Sequence, residues 1–162
     1  MSRRSLVLLL LLGLAWPGGV RAGGQQAKPD VNQYDEAGTF RITLDVPLAQ
    51  RSKISREIDA FIWDHWSGHQ RGRLRIVAQT IEGQTTFQTI FIEPDSHGRW
   101  RIRDEWHPDP RPGKSPEAVD EYDEVRRTDV NTGEVIPNSQ KRAAGTYELL
   151  LINKPRGLET PF

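Results

Sequence analysis

ISREIDAFIWDHW, residues 54–66, carries the clearest helical period in the chain. Its apolar residues recur at a spacing that places them along one side of a helix. Counted from Ile54, the members of this stripe are Ile58, Phe61, Ile62, His65 and Trp66. Ser52 is a suitable N-cap and Gly68 a suitable C-terminal stop. The sequence therefore predicts a helix over 52–67 that packs one face on a sheet.

Segments with a two-residue period lie on both sides of this helix. Before it, residues 40–46 alternate apolar and polar side chains and end at Pro47, which indicates a half-buried strand. After it, residues 73–79, 85–93 and 99–106 either alternate or are rich in β-branched and aromatic types. Turn residues at 82–83 and 94–98 separate these segments, which predicts neighbouring antiparallel strands.

The C-terminal third adds further strand signals. Residues 107–116 hold four prolines and indicate a surface loop. We expect a strand over 118–130, a hairpin turn at 131–133 and a last buried strand over 147–152. The sum is an α+β domain in which one amphipathic helix packs on a curved, mostly antiparallel sheet of about six strands. Cystatin-like folds share this layout, although a layout does not specify a function.

The first 22 residues have the three parts of a secretory signal peptide. Arg3 and Arg4 give a basic start, residues 6–16 are an apolar run, and small residues flank Arg21. The run is about half the ~20 residues that a transmembrane helix needs, so we expect cleavage after Ala22 rather than an uncleaved anchor. The basic start also resembles a twin-arginine signal, which leaves the export route open.

Four segments follow from these patterns. They are a signal peptide over 1–22, a flexible polar leader over 23–38, a single α+β domain over 39–153 and a loose tail over 154–162. We expect the mature protein to be secreted or periplasmic, with no membrane span after cleavage.

Composition excludes several classes of site. The chain has no cysteine, which excludes disulfides, thiolate metal sites and a cysteine nucleophile. Removing the three arginines of the signal segment from 22 basic residues leaves 19 against 22 acidic ones, a net charge of −3. Such a balance does not predict a nucleic-acid binder or a general membrane-surface binder.

His65 and His69 are weak candidates for a metal pair, because two histidines four residues apart share one face of a helix. A third ligand would come from His97, His107 or Glu105. Gly68 between the two histidines is expected to end the helix. The favoured interpretation places His65 at the polar edge of the buried face and His69 in a surface loop, with no metal and no cofactor.

Catalytic motifs are absent from the sequence. Glu93 and Asp95 flank Pro94 and are a candidate acid/base pair, but Asp at a turn more often bonds its own backbone. No nucleophile elbow, phosphate-binding loop or dinucleotide motif occurs. We therefore assign no catalytic residues.

Trp63 stands apart from the other tryptophans of the predicted domain. Trp66, Trp100 and Trp106 share the parity of the buried positions and are expected in the core. Trp63 lies about 180° around the helix from Ile54. Either it marks an exposed contact surface, or a satellite core under the proline-rich loop covers it.

The arginines form the most specific pattern. Alternation places five of them opposite the apolar faces of their strands: Arg73, Arg75, Arg99, Arg101 and Arg103. A shared face of guanidinium groups binds a polyanion, such as an envelope polymer, or is neutralised within the protein. The acidic run 117–124 is the expected source of neutralisation, and the balanced net charge favours that outcome.

These features predict an exported, non-catalytic domain that binds an unknown partner, either an envelope polyanion or a protein. The arginine face and the Trp63 side are the candidate binding surfaces. The alternative is a small envelope hydrolase or a metal-dependent enzyme. The lack of a recognisable catalytic motif favours the binding domain.

Overall fold

The computed structural model describes residues 33–108, 111 and 114–153, and this part of the chain forms one helix and eight strands. The predicted signal peptide, the start of the leader and the tail 154–162 lie outside the described residues. The elements in chain order are β1 (Asp35–Ile42), α1 (Leu48–Ser67), β2 (Gly72–Gln79), β3 (Thr85–Pro94), β4 (Trp100–His107), β5 (Ala118–Tyr122), β6 (Glu124–Asp129), β7 (Val135–Ile136) and β8 (Tyr147–Ile152).

The strands belong to two sheets. Five form a mixed sheet in the order β1-β2-β3-β4-β5, and three form a small sheet in the order β7-β6-β8. β1 runs parallel to β2, and α1 supplies the crossover that parallel neighbours require. The other neighbours are antiparallel, which confirms the α+β class and the β2–β3–β4 meander. The expected single strand over 118–130 is instead divided at Asp123 between the two sheets.

α1 begins at Leu48, four residues before the predicted start. Pro47 occupies the N-cap position with φ −54°, and its carbonyl accepts a 2.9 Å bond from the Arg51 amide. The fixed φ of proline and the good helix formers that follow it make Ser52 an internal residue rather than a cap. The predicted end at Gly68 is confirmed. No helix in the described ranges is long and apolar enough to cross a membrane.

The main core lies between α1 and one face of the five-stranded sheet, here called the inner face. Ile58 and Ile62 of the helix are buried there, as the apolar stripe predicts. The sheet contributes buried side chains at alternating positions, namely Leu74, Ile76, Ile90, Ile92 and Ile102. Residues of the opposite parity lie on the other side of the sheet, the outer face.

β1 begins at Asp35, so the segment 35–38 is strand and not leader as predicted. Side chains hold this start on both faces. Asp35 accepts a 2.8 Å bond from the buried His65, while Glu36 pairs with Arg73 and Tyr34 bonds Glu93. Polar anchors therefore replace the apolar alternation that would have marked the strand in the sequence. β1 ends at Ile42, before the predicted end at Val46.

Trp63 is buried at 6 % exposure, so the exposed contact surface considered for it is not observed. The guanidinium carbon of Arg127, on β6, lies 4.0 Å from the centre of its ring. Tyr147 of β8 is also buried, and its ring centre lies 5.4 Å from the same guanidinium carbon. A second small core therefore covers Trp63, and the second sheet supplies it.

Gly72 allows α1 to approach the start of β2. A Cβ atom at this position would lie 2.9 Å from Cδ2 of His65 and 3.0 Å from Cε1 of Phe61. We expect Gly72→Ala to lower the free energy of unfolding by about 1–2 kcal/mol, because both rings are packed and must shift. Urea unfolding measures the loss, and Phe61→Leu in the same chain should recover part of it. A Gly72→Ala variant as stable as wild type would contradict the close approach.

Candidate functional site

The outer face of the five-stranded sheet carries most of the predicted arginine surface. The strand register aligns Arg73 with Phe91, Phe91 with Arg103, and Arg103 with Glu121. Arg75 and Arg101 have the same parity and share this face, as alternation predicts. Arg99 differs, since it precedes β4 and pairs with Asp95 at 2.9 Å within the turn.

Arg103 is the centre of the face. Its Nε donates a 2.9 Å bond to Glu93, and Nη1 bonds Glu105. Its guanidinium carbon lies 4.0 Å from the centre of the Phe91 ring. Burial alone would lower the pKa of Arg103, but the bond to Glu93 and the negative charges of Glu93 and Glu105 together outweigh burial and raise the pKa above its ordinary value. The group is a fixed cation stacked on an aromatic ring.

Glu93 links this centre to the start of the domain. Only 7 % of the residue is exposed, and the Tyr34 hydroxyl donates to the oxygen that Arg103 does not use. Burial would raise the pKa of Glu93, but the bonds from Tyr34 and Arg103 hold it below its ordinary value. Tyr34 in turn packs edge-on against Phe91, with ring centres 5.6 Å apart. Glu93 is therefore a structural anion and not a proton donor.

Sequence reasoning missed Tyr34 because it falls in the segment interpreted as a leader. Besides Phe91, its ring contacts Arg71 and Arg73, whose guanidinium carbons lie 5.8 and 5.5 Å from the ring centre. A single aromatic residue in an otherwise polar leader was the available signal.

Most arginines of the face are neutralised within the protein. Arg73 pairs with Glu36, and Arg101 pairs with Glu121 at 3.0 Å. Glu121 belongs to the acidic run 117–124, which was the expected source of neutralisation. The other partners, Glu36, Glu93 and Glu105, lie outside the acidic run, on β1, β3 and β4. Strand order, which the sequence does not state, brings these pairs together.

The two histidines of the candidate metal pair have separate environments. His65 is buried at 4 % exposure, and its two ring nitrogens lie 2.8 Å from the Phe61 carbonyl and from Asp35. His69 follows the end of the helix with φ +49° and stacks on Trp100, with ring centres 5.4 Å apart. No group of three or more His, Asp or Glu side chains in the described ranges is placed to hold a metal ion.

Asp95 performs the turn role that its sequence context favours. Its Oδ1 accepts the backbone amides of His97 and Arg99 at 2.8 and 3.0 Å. These bonds, the one from Arg99 foremost, lower the pKa of Asp95 to about 2. Glu93 and Asp95 therefore have separate structural tasks and do not form an acid/base pair.

A buried carboxyl lies on the inner face and was not selected from the sequence. Asp104 on β4 is 7 % exposed, and the Gln88 amide donates to its two oxygens at 3.2 and 3.0 Å. Asp120 stands opposite it on β5. Burial raises the pKa of Asp104 to about 6 against the opposing effect of Gln88, and Asp120 adds to the rise. In the sequence, Asp104 alternates in step with the apolar residues Ile102 and Trp106, and this spacing could have indicated that it is buried.

Protein-family models, curated proteins and solved structures were compared with the chain, and none matches. What the outer face can do must therefore follow from its own residues. In the described part of the chain, α1 packs on the inner face, and the second sheet contacts α1 through β8. The outer face lies on the opposite side of the sheet from these contacts, and its central side chains are half-buried or buried while Arg41 and Arg75 toward its β1 edge are exposed.

Proposed function

We propose that the protein is an exported, non-catalytic binding domain that recognises a protein partner through the outer face of its five-stranded sheet. The observation that carries the proposal is the Arg103 cluster, in which a guanidinium group stacks on Phe91 and is held by Glu93 and Glu105. Tyr34 completes the cluster.

The residue types of this cluster suit protein recognition. Arginine and tyrosine are among the residues that contribute most to binding energy at protein interfaces. Here their side chains are held before any partner arrives, so little rotamer freedom remains to be lost on binding. The side chain of Arg103 still has 24 % exposure, which leaves its edge accessible.

The carboxyl groups of the cluster do not support the alternative of an enzyme. Glu93 is engaged by Tyr34 and Arg103, and its lowered pKa keeps it ionised at neutral pH. An acid/base catalyst needs a pKa near the working pH and a free path to the substrate. Export is supported by the basic and apolar signal pattern of residues 1–22, and we propose a periplasmic or secreted location on that basis.

Photo-cross-linking in the cells that encode the protein tests the proposed face. A benzophenone amino acid replaces Thr89, which lies centrally on the outer face between Arg75 and Glu105. The matched control carries it at Ser55, an exposed position on α1. We expect a discrete cross-linked protein from Thr89 and none from Ser55, with both variants melting like wild type. Equal products from the two positions, or none from Thr89, would argue against this face.

A further inference from the structure

The outer face has two halves of opposite charge, and we propose that the positive half binds an acidic segment of the protein partner. The basic half, on and beside β1 and β2, holds four arginines and one glutamate: Arg41, Arg71, Arg73, Arg75 and Glu36. The acidic half, on β3 to β5, holds three glutamates and two arginines: Glu93, Glu105, Glu121, Arg101 and Arg103. This inference rests on the proposed function and names the chemistry of its partner.

The basic half retains guanidinium groups without a carboxylate partner. Arg41 and Arg75 are exposed, and no carboxylate in the described part of the chain lies within ion-pair distance of either. The Thr43 bond acts with the charge of Arg41 to lower the pKa of Asp45. Arg71 contacts the ring of Tyr34. Glu36 is already paired with Arg73. An incoming carboxylate would therefore meet exposed guanidinium charge, above all that of Arg75.

Arg75 has hydroxyl groups on both sides. The register places Thr39 of β1 and Thr89 of β3 directly beside it on the same face. Arg41 follows Thr39 as the next residue of β1 on the outer face, and the register places it beside Val77 of β2. A carboxylate placed over Arg75 can accept bonds from the guanidinium group and from a neighbouring hydroxyl. Arg75 offers this arrangement to one acidic side chain, and Arg41 supplies a second exposed charge for the next.

The charge of the acidic half selects a protein segment over a uniform polyanion. The acidic half pairs its three glutamates with two arginines and keeps an excess of one carboxylate, so a polyphosphate or acidic polysaccharide laid across the whole face would be attracted by the basic half only. A folded partner presents an acidic segment to one half and neutral or basic residues to the other.

Titration of the ¹⁵N-labelled protein with hexaglutamate tests the proposal by nuclear magnetic resonance. We expect amide shifts at Thr39, Arg75 and Thr89, and binding that weakens as salt is added. The double variant Arg41→Gln/Arg75→Gln should bind about tenfold more weakly, because two exposed charge contacts are lost. Arg126→Gln, on the exposed side of β6, is the matched control and should bind like wild type.

Three results would overturn the acidic-segment proposal. They are the absence of shifts in the basic half, shifts that the double variant retains, and hexaphosphate binding that is tighter and spreads over both halves. The cross-link from Thr89 separates this failure from failure of the proposed function. A Thr89 product without hexaglutamate binding would contradict the acidic-segment proposal but not the proposed function. Hexaglutamate binding without a Thr89 product would contradict the proposed protein partner.

Discussion

Replacing Arg127 by alanine is expected to lower the free energy of unfolding by about 3–5 kcal/mol. Arg127 is 2 % exposed, and its guanidinium carbon lies 4.0 Å from the ring centre of Trp63 and 5.4 Å from that of Tyr147. Its Nη2 donates to the carbonyls of Pro137 and Gln140 at 3.0 and 2.7 Å. The substitution leaves a large cavity, removes both ring contacts and leaves two carbonyl groups without their donor.

The neighbouring residue is a matched control. Arg126 lies on the same strand but on the opposite side, where its side chain is 46 % exposed and pairs with Glu124. Arg126→Ala should change stability by less than about 0.5 kcal/mol. Urea unfolding of both variants measures the difference. Equal losses would mean that Arg127 does not hold the second sheet against the helix.

Local sequence patterns were sufficient to predict the elements that are defined by contacts between residues close in sequence. The apolar stripe predicts the body and end of α1, and two-residue alternation with strong turn chemistry predicts the β2–β3–β4 meander. These signals depend on neighbours within a few residues of each other. They could not show where β1 starts, because Asp35 is held by His65, 30 residues away.

Long-range contacts also decided the two surfaces considered for binding. Helical periodicity places Trp63 on the polar side of α1, so the sequence does not show that it is buried. The residue that covers it is Arg127, and a charged side chain is normally expected to face solvent. The arginine face was visible from alternation, but its neutralisation depends on which strands are neighbours. Periodicity describes the side of an element that a residue occupies. It does not identify the group placed opposite.

The protein is expected to be more stable at pH 5 than at pH 7.5, by about 2 kcal/mol. Burial is the main cause that raises the pKa values of Asp59 and Asp104 to about 6, against an ordinary value of 3.8. Between these values the folded state holds protons that the unfolded state has released. The stabilisation is therefore complete below about pH 4 and is lost as pH rises through 6.

Groups with lowered pKa values make the folded protein less stable at the acidic end of the pH range. Asp95, at about 2, and Glu93 favour the folded state when ionised, so their contribution is lost as pH falls below the ordinary carboxyl range. The two effects together place the maximum of stability near pH 4–5.

Asparagine substitution shows which carboxyl group causes the loss of stability at neutral pH. At pH 7.5, Asp104→Asn should raise the free energy of unfolding by about 1 kcal/mol, because Gln88 can still donate to the remaining oxygen and repulsion from Asp120 is removed. The difference between pH 5 and pH 7.5 should fall by about half, since Asp59 still titrates. Asp123→Asn, at an exposed position, is the control. An Asp104→Asn variant that keeps the full difference between the two pH values would show that this carboxyl is ionised in the folded protein throughout the range.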